Sequence, residues 1–390
     1  MPDTSQQLPA LRALRQGILR LTSGLLPALL VNAAVSTSAL ATEAIDCPLR
    51  DQPYSLDTPL IDIMLKPEAR AIVNAQMDGA LDKMPTYFAS TEPPSFSAIL
   101  NLRNIAAMAR LPDDKLRSIG TELASLPVTD ADRSARCARY DTSTPELAIA
   151  PGKPRLLVME KINGFKDVPS FDAAAVMLKS LAKANGWSLT STDSGAAFNA
   201  DTLSQFDAVI WNNISGDVLT LTQRSAFRHY IEQGGGFLGI HGSGGDPNYA
   251  WDWYVDELIG ARFIGHPKEP QFQQARIVVE HSGTGIERDL PSEWTLTEEW
   301  YSFASSPRDK GAMVVATLDE SSYQPVGRGG QKLAMGDHPI AWARCIGKGR
   351  SFYSAIGHVP DVYQDPNHLI MMRQAIEWAA GLNHDQCDQQ

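Results

Sequence analysis

The stretch Gly234-Gly-Gly-Phe-Leu-Gly-Ile-His241-Gly-Ser-Gly-Gly-Asp246 constrains this chain more than any other. Its first glycines suit a helix end, where a left-handed residue releases the chain. The apolar run 237–240 that follows reads as a buried strand of a parallel sheet. That strand stops at His241 and more glycine. Backbone freedom just past a strand's carboxyl end is where open α/β sheets place their ligands. The stretch therefore predicts a ligand site with His241 at its mouth.

The surrounding pattern supports such a sheet. Arg155–Met159 and Ala208–Trp211 read as strands, residues 170–185 as an amphipathic helix between them, and Thr220-x-x-Gln223 as a capping box that starts the next helix. This strand–helix alternation implies a parallel sheet with helices on both faces. Strand-like runs follow at 276–280, 313–317, 340–343 and 351–355, and a last helix runs from Asp365-Pro366 to Gly381. Gly234-Gly-Gly precedes a strand rather than a helix, so it is not a dinucleotide-binding loop.

Residues 42–150 read differently. Pro67 starts a helix, and apolar residues recur at helical spacing in 97–110 and 113–126, with a third helix from Asp130. No catalytic spacing occurs there, and support of the next domain is the expected role. The division expected is 1–41 leader, 42–150 helical segment, 151–382 α/β domain and 383–390 tail, with 141–154 as linker. In the leader, Arg12, Arg15 and Arg20 precede an apolar core at 21–35, and Ala39-Leu-Ala41 fits a cleavage site after Ala41. Export to the periplasm or medium follows, with no membrane span in the mature chain.

Export makes the cysteines legible. An even count of four in an oxidising compartment implies bridges. The pairing expected is Cys47–Cys137 and Cys345–Cys387, one of three connectivities. A net charge of −11 gives no basic field to gather phosphates, which argues against nucleic acid as a partner. Oligomeric state is left open, a homo-oligomer included.

Candidate chemistry falls in loops of the α/β half. His241, His266, His338 and His358 each sit beside glycine or proline in turns, where imidazoles suit proton transfer or a divalent metal such as zinc. Glu298, Glu299 and Asp337 are acid/base candidates. Catalysis is assigned to His241, Glu299, Asp337 and His338. Trp251, Trp253 and Tyr254, with Trp300 and Tyr301, are the expected aromatic platform for a sugar. Ser243 lies in His241-Gly-Ser243-Gly-Gly245, a degenerate nucleophile elbow that would suit a serine hydrolase.

Taken together these residues resemble the ThuA-like, trehalose-utilisation family. The resemblance spans about 155–381. It is carried by Gly164-Phe165, Gly216-Asp217, the Gly234–His241 run, Trp253-Tyr254, Gly265-His266-Pro267, Leu290-Pro-x-x-Trp294, Glu299-Trp300-Tyr301-x-Phe303, Asp337-His338-Pro-Ile-Ala-Trp342, Gly347-Lys-Gly-Arg350, Gly357-His358 and Trp378-Ala-Ala-Gly381. It implies a flavodoxin-like fold of the class I glutamine amidotransferase type. Amidotransferases carry a nucleophilic cysteine on the turn where this chain has His241, so glutaminase chemistry is not expected. Where the family often has Arg-His-Asp after its first Gly-Phe, this chain has Lys166-Asp167-Val168. The resemblance also implies disaccharide or keto-sugar catabolism, either as an enzyme or as a sugar-binding partner of an oxidoreductase or hydrolase.

Overall fold

Strand β1, Arg155–Met159, is apolar after its first residue and buried on both faces, so it needs cover above and below. The computed structural model describes residues 45–382 and Cys387; the expected leader, and the tail apart from Cys387, lie outside the described residues. Among the described residues six α-helices precede β1: α1 Leu60–Leu65, α2 Pro67–Gln76, α3 Ala80–Lys83, α4 Leu102–Ala109, α5 Asp113–Ala124 and α6 Asp130–Cys137. Their apolar faces close on a core of their own that includes Leu60, Ile63, Val73, Leu102, Ile105, Ile119 and Leu123. Two buried ion pairs lock α6 and its C-terminal flank to α1 and its end, Lys66–Asp132 at 2.8 Å and Arg139–Asp62 at 2.7 Å.

After β1 the chain alternates: α7 Val168–Asn185, β2 Ser188–Thr192, α8 Ala200–Leu203, β3 Ala208–Trp211, α9 Leu221–Glu232 and β4 Gly236–Ile240. Helix α9 opens on the capping box formed by Thr220 and Gln223. The following strands are β5 Phe263–Gly265, β6 Phe272–Val279, β7 Glu293–Glu299, β8 Ser302–Phe303, β9 Met313–Leu318, β10 Pro339–Ile346 and β11 Gly349–Ser354, and helix α10 Pro366–Ala379 closes the order. Strands β5 and β8 pair as a small separate sheet.

The main sheet has the order β2-β1-β3-β4-β11-β10-β9-β6-β7. Its first five strands are parallel. The other four are antiparallel to their neighbours. The parallel half is the sheet with helices that the alternation in sequence implied, and most of the later strand-like runs, whose direction the sequence left open, extend it as an antiparallel half. Parallel neighbours need a crossover of a dozen or more residues, usually a helix, and between β6 and β11 only single helical turns occur. Strand β7 corrects the placing of all the candidate chemistry in loops, because Glu298 and Glu299 end a strand. Packing at the centre is tight: a Cβ on Gly236 would fall 2.1 Å from the Ala379 carbonyl oxygen, so α10 reaches β4 only over glycine.

The disulfides are Cys47–Cys137 and Cys345–Cys387, the pairings expected. Next to the first, the Asp46 carboxylate accepts a 2.7 Å bond from the Thr222 N–H at the start of α9. Residues 141–154 hold no regular element, yet Asp141 accepts from Lys161 Nζ at 2.7 Å and from the Gly195 N–H at 2.9 Å. The described residues belong to one compact unit. Among them, no helix is long and apolar enough to cross a membrane.

Candidate functional site

A cavity of about 300 Å³ lies where the loops after β1, β3, β4 and β11 meet. His241 follows β4 directly and takes φ 35°, and Asn213 after β3 takes φ 52°. Two non-glycine residues in the left-handed region side by side are costly, and such strain collects at functional sites. Neighbours hold the turn in place. The His241 carbonyl accepts from the Tyr353 hydroxyl at 2.8 Å, and the Gly242 N–H donates to Asn213 Oδ1 at 3.2 Å.

The ring of His241 is fixed in tautomer and orientation. Its Nδ1 lies 2.7 Å from the Ala355 carbonyl oxygen, so Nδ1 carries the hydrogen and Nε2 keeps the lone pair. The ring stacks on Tyr301 with centroids 4.1 Å apart. Burial pushes its pKa down, against the pull of Glu299, which favours the neutral imidazole.

Glu299 is the hub. Its Oε2 lies 3.0 Å from His358 Nδ1 and 3.5 Å from His241 Nε2. Its Oε1 lies 3.0 Å from His266 Nδ1 and accepts from Gln271 Nε2. Burial alone would raise this carboxyl, but the imidazoles of His241, His266 and His358 outweigh it and hold the pKa well below the usual range. His358 shifts upward: burial opposes its charge, and Glu299, with Glu298 and Asp167 behind it, overcomes burial. His266 shares its Nδ1 hydrogen with the Pro267 carbonyl at 2.9 Å.

Three of these groups are spaced as metal ligands. His241 Nε2, a Glu299 oxygen and His358 Nδ1 all lie within 4.8 Å of one another. A tetrahedral ion with bonds of ~2.0–2.1 Å sets its donor atoms about 3.3–3.4 Å apart. The edges here are 3.3, 3.5 and 3.0 Å. A ligating histidine usually donates its other N–H to a carbonyl or carboxylate. His241 donates to Ala355 O, and His358 Nε2 faces Asp167 at 3.8 Å.

The other sequence candidates fall elsewhere. His338 is fully buried with both nitrogens engaged, Nε2 with the Tyr301 carbonyl at 2.9 Å and Nδ1 with Glu320 at 2.8 Å. It braces the strand behind Tyr301 and has no nitrogen left for a metal or substrate. Asp337 is paired with Arg308 at 3.0 Å and Ser306 at 2.6 Å, outside the cavity lining. Glu298 faces away from the cavity too. It accepts from the N–H groups of Gly357, His358 and Val359 at 3.1 Å, and burial pushes its pKa up to about 8 against those donors. Its task is to hold the loop that carries His358.

The aromatic platform is also reassigned. Tyr254 stacks on Trp211 at 4.8 Å in the core, and Trp300 is buried with its Nε1 bonded to the Gln273 carbonyl at 2.8 Å. Trp251 lies under Arg224, 5.1 Å from the guanidinium, in a separate small recess. Trp253 lies beside Arg228 in a shallow groove elsewhere. Of the five aromatics only Tyr301 lines the cavity. Ser243 is spent on the backbone, donating to the Trp211 carbonyl at 3.0 Å and accepting from the Ile214 N–H at 3.1 Å. Neither partner is a side chain that could act as a base, which argues against the serine-hydrolase reading. All four cysteines are paired.

Several lining residues carried no signal in sequence: Asp167, Asn213, Gln271, and Phe96, Ile99 and Leu100 of the helical segment. Asp246 closes the glycine-rich stretch and could have been marked there. Its carboxyl is buried, bonded to Ser215 Oγ and the Gly216 N–H at 2.6 Å, and burial pushes its pKa up to about 7.

The sequence profile of the trehalose-utilisation family, ThuA, matches residues 155–379. Among solved structures, a protein described as ThuA-like from Bacteroides uniformis superposes with a TM-score of 0.50 at 24% identity, over 59% of this chain and 93% of its own. A second protein described as ThuA-like, from Parabacteroides merdae, gives 0.42 at 14% identity over 60% and 91%. A Thermoplasma acidophilum protein, described as belonging to a GMP synthase, gives 0.36 at 15% over 58% and 94%. No curated protein matches.

Proposed function

Because the chain belongs to the ThuA (trehalose utilisation) family, we propose that it is an enzyme acting on a glycoside or keto-sugar, with His241, Glu299 and His358 as its chemical centre. One observation carries the reading: the buried Glu299 carboxylate within 3.5 Å of three imidazoles, at a cavity on the carboxyl edge of the sheet. An ionised group kept in a buried cleft costs stability, and perturbed groups of this kind cluster at sites of chemistry. His241 offers a lone pair and His358 a proton, the two states that general base and general acid work require. Gln271 and Tyr301 hold the carboxylate and the His241 ring in place. The same three residues fit a divalent ion such as zinc; with it bound, His241 Nε2 and His358 Nδ1 would serve as its ligands in place of the acid–base pair, and the ion would polarise a carbonyl or activate a water.

Export to the periplasm or medium, with cleavage after Ala41, is part of the proposal. The two disulfides favour an oxidising compartment. The division near residue 150 is likewise proposed, the helical segment having a core of its own.

The test is turnover of a panel of glucosides and 3-keto-glucosides by the full chain, with and without a chelator, beside His241→Ala. Turnover that the variant loses supports the enzyme. Tight sugar binding with no turnover would make the chain a binding partner of an oxidoreductase or hydrolase. Neither binding nor turnover would remove the carbohydrate reading.

A further inference from the structure

Residues 96–100 lie outside the stretch that matches the family, which begins at residue 155. They nevertheless build one wall of the cavity. Phe96, Ile99 and Leu100 line it together with Phe165. The Phe96 and Phe165 rings are stacked, with centroids 4.6 Å apart and planes at 25°. Phe165 keeps 39% of its surface exposed.

The wall is fixed to the α/β part rather than resting on it. The Ser95 N–H donates to the Asn163 carbonyl at 3.1 Å, and Asn248 Nδ2 donates to the Ile99 carbonyl at 2.8 Å. The approach is close enough that a Cβ on Gly164 would meet Ile99 Cγ2 at 2.7 Å. The glycine before Phe165 is what lets the helical segment close on this loop.

The two ends of the cavity differ in chemistry. One holds Glu299 and its imidazoles. The other is walled by Phe96, Ile99, Leu100 and Phe165; the Ser215 hydroxyl beside it already accepts from the Phe165 N–H at 3.0 Å and donates to Asp246 at 2.6 Å, and the Ile99 and Leu100 carbonyls accept bonds from Asn248 and the Leu60 N–H. A second sugar ring there would bury hydroxyls without partners, at a cost of about 1–3 kcal/mol each. A flat apolar ring would bury against aromatic surface instead.

We propose that this wall is a binding subsite for a planar, apolar aglycone. The substrate is then an aryl-glycoside-like molecule, its sugar at the Glu299 end and its aromatic ring against Phe96 and Phe165. This rests on the reading of the cavity as a glycoside site.

The test is calorimetric binding of both anomers of phenyl and methyl glucoside to the full chain and to Phe96→Ala and Phe165→Ala. Phe165 is partly exposed, so its variant keeps the test open if Phe96→Ala does not fold. The expected result is phenyl glucoside bound about tenfold or more tighter than methyl glucoside, with either variant erasing that ratio and sparing methyl glucoside. Methyl glucoside bound, with a phenyl-to-methyl ratio of one or a ratio that survives both variants, overturns the aglycone subsite alone. No binding of any of the four glucosides overturns the glycoside reading and the subsite with it.

Discussion

His241 Nε2 and His358 Nδ1 stand 3.3 Å apart, and each is within 3.5 Å of the same Glu299 oxygen. The two histidines are 117 residues apart in sequence. They meet because β4 and β11 are parallel neighbours with Ile240 opposite Ser354, so the loops leaving both strands start at the same height. Parallel pairing thus delivers two imidazoles to one edge, and β7 brings the carboxylate between them.

Glu298 holds one of those loops. Glu298→Gln keeps the volume but replaces an accepting oxygen with an amide that faces backbone N–H donors. We expect a stability loss of about 1–3 kcal/mol from the mismatched donors. Zinc affinity should fall roughly 10–100-fold, as when a group that orients a metal ligand is changed. Denaturant titration and calorimetry read the two effects. Unchanged zinc affinity would deny Glu298 this positioning role.

Asp246 predicts a pH dependence of stability. Its folded pKa, about 7, lies above the ordinary carboxylate value because burial disfavours the charge. The folded state therefore holds this proton more tightly than the unfolded state. The contribution is most favourable below about pH 4, falls as pH rises through 4–7, and is constant above. The full span is on the order of 4 kcal/mol. Asp246→Asn has no charge to bury, so its melting temperature should drop less between pH 5 and 8 than that of the wild type. Parallel curves for the two proteins would count against the assignment.

The Cys47–Cys137 bridge closes a long loop, with a sequence separation of 90, and anchors Asp46 at the start of α9. Replacing both cysteines with alanine should cost about 2–5 kcal/mol, through the freed unfolded chain. The denaturation midpoint should fall accordingly. An unchanged midpoint would mean that the helical segment needs no staple.

Gly164→Ala tests the closure of the helical segment on the cavity. The added methyl would lie 2.3 Å from Ser215 Oγ and 2.7 Å from Ile99 Cγ2. Overpacking of this kind costs about 1–3 kcal/mol. A variant as stable as the wild type would show that the contact yields freely.

The α/β core was legible because its strands are short apolar runs and its helices carry regular stripes and caps. His241 was legible for the same reason, as the residue at which such a strand stops before glycine. Glu299 and His358 stood out as polar groups in turns, but sequence spacing could not tell them from His338 and Asp337. What separates them is partnership: His338 has both nitrogens bonded and Asp337 has its own arginine, whereas His241 keeps a lone pair. Trp251, Trp253 and Tyr254 misled because an aromatic cluster has the same composition whether it packs a core or faces a ligand. The wall from Phe96 to Leu100 was invisible, since it depends on a contact between segments far apart in sequence that no local pattern encodes. The antiparallel half of the sheet was readable in principle, from the missing helices between its strands.

The most direct measurement is calorimetric titration of zinc into the chelator-stripped full chain and into Glu299→Gln, with circular dichroism to show that both are folded. If His241, Glu299 and His358 form one ligand set, the wild type binds a single ion and the variant loses that binding. A folded Glu299→Gln that binds zinc as the wild type does, or a wild type that takes up none, would contradict it.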